Sequence, residues 1–145
     1  MFGLKIVAKI VAPELKVKFD EDDFTCFDFE EEAIIIGKDF DAYDFGFMRH
    51  LRQKHKMTDA DKFSIRLWTI LHEIGHYETE DECESDEFLV RAALGTMDRE
   101  DVVSSPMLQD CYFNLESEWK ATEWAIEWVR SHRALAAVFN VLVRI

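Results

Sequence analysis

At 145 residues, 48% hydrophobic and with only 5 Gly and 2 Pro, the chain has the composition of one folded globular unit, not of a disordered or fibrous protein. A formal net charge of -13 repels phosphate backbones, which excludes general nucleic-acid binding and favours either basic partners or simple solubility. Cys26, Cys83 and Cys111 lie far apart with no C-x-x-C, so neither a disulfide framework nor a cysteine zinc knuckle is indicated, and a reducing cytoplasm is the expected location.

In chain order, Leu4, Ile6, Val7, Ile10 and Val11 have helical spacing, and Pro13 should end that helix. Lys5 and Lys9 interrupt the apolar start before it resembles a signal-peptide core, and no stretch approaches a membrane span. Residues 15–19 alternate apolar with lysine, as a half-buried strand does, and the acidic run 20–23 reads as a turn. Residues 24–29 and 33–36 are two further strand candidates, closed by Gly37, and a small antiparallel sheet is the economical arrangement. Residues 43–55 read as a helix. The basic set Arg49, His50, Arg52, Lys54, His55 and Lys56 near its end complements the helix dipole, or else meets an acidic partner.

Thr58 and Asp61 form a capping-box-like pair that should start a central helix. On that helix Phe63, Leu67, Ile70, Leu71 and Ile74 make an apolar stripe, while His72 and His76 fall on the other side with Ile65 and Thr69. The histidines are therefore either solvent-facing or part of a cleft that another element covers, and Gly75 beside them permits its close approach. The acidic run 78–87 lacks a calcium-loop pattern and reads as a solvated loop before a short helix over 88–94. Ser105-Pro106 is a helix-start signal, and a long helix should follow, starting between there and Leu115 and running to about Arg130. Leu135, Val138, Phe139 and Leu142 suggest a last helix docked on the core.

The chemistry concentrates in His72-Glu73-Ile74-Gly75-His76, an H-E-x-x-H sequence. Residues four apart share a helix face, so His72 and His76 can offer two ring nitrogens to one metal ion. Glu73, one position along, suits a base that takes a proton from metal-activated water. A catalytic zinc usually has a third protein ligand, and the continuation in which a third His follows is absent here. On the long later helix, Glu118 shares a face with Cys111, Leu115, Thr122, Ala125 and Val129, whereas Glu116, Glu123 and Glu127 lie on the polar side. A carboxylate on an apolar face must be paired, protonated or metal-bound, so Glu118 is the candidate third ligand. The competing reading pairs it with Arg66, Arg91 or another buried partner, or leaves it at the wet edge of the face.

Leu71-His72-Glu73-Ile74-Gly75-His76, followed by Leu115-x-x-Glu118-x-x-Ala121-Thr122-x-Trp124-Ala125, resembles the compact gluzincin metallopeptidases of the ImmA/IrrE group and their small phage and microbial relatives. The likeness covers the central helix and the glutamate helix closely and the strand-then-helix order before them more loosely. It implies a zincin-like α+β fold in a single domain, a small antiparallel or mixed sheet packed on an active-site helix and a glutamate helix, with zinc held by His72, His76 and Glu118 and with Glu73 as general base. It also implies a sheet edge above the cleft that binds an extended peptide, for which residues 33–36 are the best candidate. Where the family often has Asn or Asp four residues after the glutamate, this chain has Thr122, which can still give a hydrogen bond behind a ligand. Tyr77, Tyr112 and His132 are candidates for oxyanion stabilisation. Cys111 with His132 as a thiol pair is the poorer reading.

The expected function is zinc-dependent cleavage of a specific intracellular protein, such as a repressor, with any DNA-binding partner supplied in trans. The alternative is a catalytically silent zinc-binding interaction protein whose acidic surface mimics nucleic acid. An intact Glu73 argues against it, because a structural zinc site normally fills all four positions and needs no base.

Overall fold

The computed structural model describes residues 2–37 and 43–145. Among them it has α+β architecture, with eight α-helices and one three-stranded sheet. Helix α1 (Phe2–Val11) precedes strands β1 (Lys16–Asp20), β2 (Cys26–Asp28) and β3 (Ala33–Gly37), and then come α2 (Tyr43–Gln53) and α3 (Ile65–Thr79). The remainder is helical: α4 (Phe88–Gly95), α5 (Arg99–Ser104), α6 (Pro106–Phe113), α7 (Glu116–Ser131) and α8 (Arg133–Leu142). No described helix is long and apolar enough to cross a membrane.

The sheet is mixed, one of the two arrangements expected. Its order is β1-β3-β2, with β1 parallel to β3 in the register Val17↔Ile34 and β2 antiparallel to β3 in the register Phe27↔Ile34. Residues 33–36 therefore form the centre of the sheet and not its edge. The unbroken apolar run Ala33-Ile34-Ile35-Ile36 fits a strand with a neighbour on each side, while the lysines of β1 suit an edge. The edge beside the central helix is β2, which packs on α3.

Helix α3 starts six residues later than the Thr58–Asp61 pair suggests. Ser64 is its N-cap and accepts from the Leu67 N–H at 3.3 Å, while residues 60–62 form a separate 3-10 turn and Asp61 accepts from Arg52 at 2.8 Å. The serine is itself held, its N–H donating to Asn140 Oδ1 at 2.6 Å. Once started, α3 runs through the middle of the molecule and buries Leu67, Trp68, Ile70, Leu71 and Ile74 on its apolar side. Thr69, His72 and His76 are buried on the other side too, so the histidines lie under a cover.

That cover is α7, the helix packed most extensively on α3. Its start falls at the late end of the expected window, because Ser105 and Pro106 cap the separate helix α6, and Leu115 (φ −56, ψ 141) is extended, so the chain restarts at Glu116. The break leaves Cys111 exposed on α6, off the Glu118 face to which the continuous-helix expectation assigned it. Helix α7 buries Glu118, Ala121, Thr122, Ala125, Ile126 and Val129 against α3. The basic set at the end of α2 disperses: Arg49 and Arg52 pair with Asp110 and Asp61, whereas His50 is fully buried against Phe113 and Trp119. Helix α8 docks through Ala136, Phe139 and Val143, with Phe139 stacked on Trp128 at 5.7 Å, and leaves Leu135 and Val138 exposed.

The closest approach of the two central helices is at Gly75. A Cβ there would lie 2.4 Å from the Ala121 carbonyl oxygen, a backbone atom that cannot turn aside. Gly75→Ala is therefore expected to push α7 off α3 and cost about 1–3 kcal/mol, read as a lower denaturant midpoint at unchanged m-value. An unaltered midpoint would show that the helices are not held this close.

Candidate metal centre

Three polar atoms meet where α7 covers α3. Glu118 Oε2 lies 2.8 Å from His72 Nε2 and 3.0 Å from His76 Nε2. All three residues are buried, Glu118 to 1% exposure. The helix spacing sets this up: His72 and His76 project from one face of α3, and Glu118 sits in the first turn of α7 among the small residues that let the helices close. Glu73 is half-buried next to them, and His72, Glu73 and His76 each bring one ligand-type atom within 4.8 Å of the others.

Hydrogen bonds behind these atoms fix how they point. The Thr122 hydroxyl donates to the Glu118 carbonyl at 2.9 Å, so toward His72 it can only accept, and His72 Nδ1–H donates to it at 3.0 Å. His72 Nε2 then aims a lone pair at the Glu118 carboxylate. Two acceptors at 2.8 Å repel unless a positive charge lies between or on them, either a proton or a metal ion. A tetrahedral ion with bonds of about 2.0–2.2 Å spaces its ligands roughly 3.3–3.6 Å apart, so these contacts of 2.8 and 3.0 Å would open by a few tenths of an ångström or more to admit it. Two imidazoles and one carboxylate are also a donor set suited to a borderline-soft divalent ion, so the residues fit a metal.

The charges respond to burial and to one another. Burial works to raise the Glu118 carboxyl, but the His76 and His72 imidazoles beside it hold it well below the usual carboxylate range. Burial works to lower His76, but the Glu118 carboxylate, with help from Glu73, raises it to about 9. Glu73 is pushed up by burial and by the Glu118 charge, against the two histidines and the Phe27 N–H, which donates to its Oε2 at 2.9 Å. That donor comes from the outer edge of β2, so the sheet holds the Glu73 carboxylate in place.

The structure brings His72, Glu73, His76, Glu118 and Thr122 together. Tyr112 joins them, its phenol raised by burial, by the Glu118 and Glu73 charges and by a hydrogen bond to Glu118. Tyr77 packs edge-on against Phe27 at 6.0 Å, on the side of α3 toward β2. His132 is not at the site. It stacks on Trp128 at 4.6 Å just past the end of α7, about 20 Å from Glu118 at 1.5 Å per residue. Of the competing partners for Glu118, Arg91 does reach it, with Nη2 donating to Oε1 at 3.2 Å, whereas Arg66 donates to the Val143 carbonyl.

Compared with known protein families, curated proteins and solved structures, the chain matches none. The site must therefore be understood from its own atoms.

Some constituents escaped the sequence reading. Phe47 lies edge-on to His72 at 5.0 Å and Phe29 to His76 at 5.7 Å, so aromatic rings wall both imidazoles. Glu87 and Ser117 join Arg91 behind Glu118. The four-residue spacing of Glu87 and Arg91 was a signal for the first pair. The Phe27 N–H carries no side-chain signal at all.

A folded pKa near 9 for His76, above its ordinary 6.5, means that its pairing with Glu118 stabilises the metal-free fold fully below pH 6.5. That contribution is lost as pH rises through about 9. Thermal unfolding of metal-stripped protein is expected to show the melting temperature falling across this window. A flat profile would contradict the pairing.

Proposed function

We propose that the protein is a zinc-dependent peptidase that hydrolyses peptide bonds of a specific intracellular protein. The observation that carries this reading is the meeting of His72 Nε2, His76 Nε2 and Glu118 Oε2 with Glu73 alongside. Stability alone gives no reason for such a group. A buried ionic cluster is often replaced by apolar residues at no cost or with a gain of about 1–4 kcal/mol, so its presence at the centre of the fold calls for another use.

In this reading His72, His76 and Glu118 hold the ion, and Thr122 keeps His72 in the tautomer whose Nε2 lone pair is free. Zinc supplies Lewis acidity that lowers the pKa of water and polarises a carbonyl. Glu73, raised above its ordinary pKa, takes the proton from the attacking water and returns it to the leaving amine. The Phe27 N–H keeps its carboxylate aimed during both transfers. An extended substrate would lie beside Glu73 against the outer side of β2, whose Phe27 N–H is already given to Glu73. Of the candidate oxyanion donors only Tyr112 lies at the site, and its single O–H, given to Glu118, would have to turn to a substrate oxygen. The three-stranded sheet over α3, with α7 giving the third ligand, is consistent with a zincin-like architecture of the ImmA/IrrE kind.

A second reading is a zinc-holding interaction protein without catalysis. It is favoured by the burial of both histidines, each only 5% exposed, and by the Phe29 ring against His76.

Glu73→Gln separates the two. It keeps the shape of the side chain and removes the base, so the variant should bind zinc like the parent and cleave a susceptible protein substrate about 100- to 10,000-fold more slowly. Equal cleavage by parent and variant would overturn the peptidase reading.

A further inference from the structure

Glu118 has two carboxylate oxygens, and the structure gives them different partners. Oε2 faces His72 and His76, whereas Oε1 accepts from Arg91 Nη2 at 3.2 Å. Arg91 comes from α4, a short helix with Phe88, Leu89 and Val90 exposed and only Leu94 buried. Little apolar packing fixes it. What holds it is a polar ring. Arg91 Nη2 also lies 2.9 Å from both Glu87 Oε1 and Ser117 Oγ, so its two hydrogens are shared among three acceptors with Glu118 Oε1 the most distant, and the Ser117 N–H donates to Glu87 Oε2 at 3.1 Å. The Ser117 hydroxyl closes the ring by donating to Glu87 Oε1. The guanidinium also lies over the Tyr112 ring, 5.6 Å from its centroid.

We propose that Arg91 is a positioning residue for the metal ligand, holding Glu118 so that only Oε2 is presented to the ion. This rests on the metal reading above and deepens it. A carboxylate with both oxygens free can bind an ion through either or both, and two-oxygen binding fills a position that water or substrate needs. Arg91 occupies Oε1 with a charge-assisted hydrogen bond and so fixes one-oxygen ligation. Glu87 and Ser117 hold the guanidinium in place, one residue from the ligand in the case of Ser117.

Cobalt(II) as the added metal tests this, because its visible spectrum reports coordination number independently of activity. The parent should bind one cobalt with the intense band of a four-coordinate site. Arg91→Met should weaken cobalt affinity by about tenfold in chelator competition and give a weaker band as Oε1 joins the ion. Arg91→Lys, which restores a cation opposite Oε1, should recover affinity toward the parent. Glu87→Gln loosens the ring without touching Glu118 and should shift affinity in the same direction as Arg91→Met, which keeps the test alive if Arg91→Met does not fold. Parent-like affinity and spectrum in folded Arg91→Met or in Glu87→Gln would overturn the positioning role while leaving the metal reading intact. Failure of the parent itself to bind cobalt would overturn the metal reading.

Discussion

A buried carboxylate facing two imidazoles is the constraint around which this molecule is built. Leaving one such charge without a partner costs about 3–5 kcal/mol, a large part of the stability of a domain this size. Glu118 must therefore meet the α3 histidines, and α7 must lie close enough on α3 for that contact. Gly75 makes room for the Ala121 carbonyl, and Ala121 and Ala125 keep the α7 face flat. The position of the helices and the chemistry of the site are thus one problem with one solution.

The surroundings divide the labour by direction. From α7 itself Thr122 orients His72, and from β2 a backbone N–H orients Glu73. From α4 a guanidinium takes the far oxygen of Glu118, while Phe47 and Phe29 wall the two imidazoles. Low local polarity strengthens each of these contacts and makes an unpaired polar atom expensive, so the network has to be complete to be stable. The outermost links, on the exposed helix α4 and the edge strand β2, are also those with the least apolar packing behind them, and local opening would begin there.

What was legible beforehand follows from periodicity. His72, Glu73 and His76 declared themselves through i,i+4 spacing, and Glu118 through being a charge on an apolar face; both are properties of a single helix. Gly75 stood out for the same reason. The errors arose where one element depends on another. Residues 33–36 were taken for an edge because a strand's neighbours are not written in its own residues, although their unbroken apolar run was a clue to a central place. Cys111 was placed on the Glu118 face because nothing in the residues around Asn114 announces the extended Leu115 that ends one helix before the next begins. Arg91, one of the rival partners for Glu118, does reach its Oε1, while Oε2 faces His72 and His76. The Phe27 N–H could not be foreseen, since every residue but proline has one.

If Glu118 and the two histidines act as one metal site, removing the carboxylate must cost the ion. Equilibrium dialysis of metal-stripped protein against zinc, with Glu118→Ala beside the parent, measures this. One tightly held zinc per parent chain and greatly weakened binding by the variant are expected. Zinc held as tightly by Glu118→Ala as by the parent would contradict the single site.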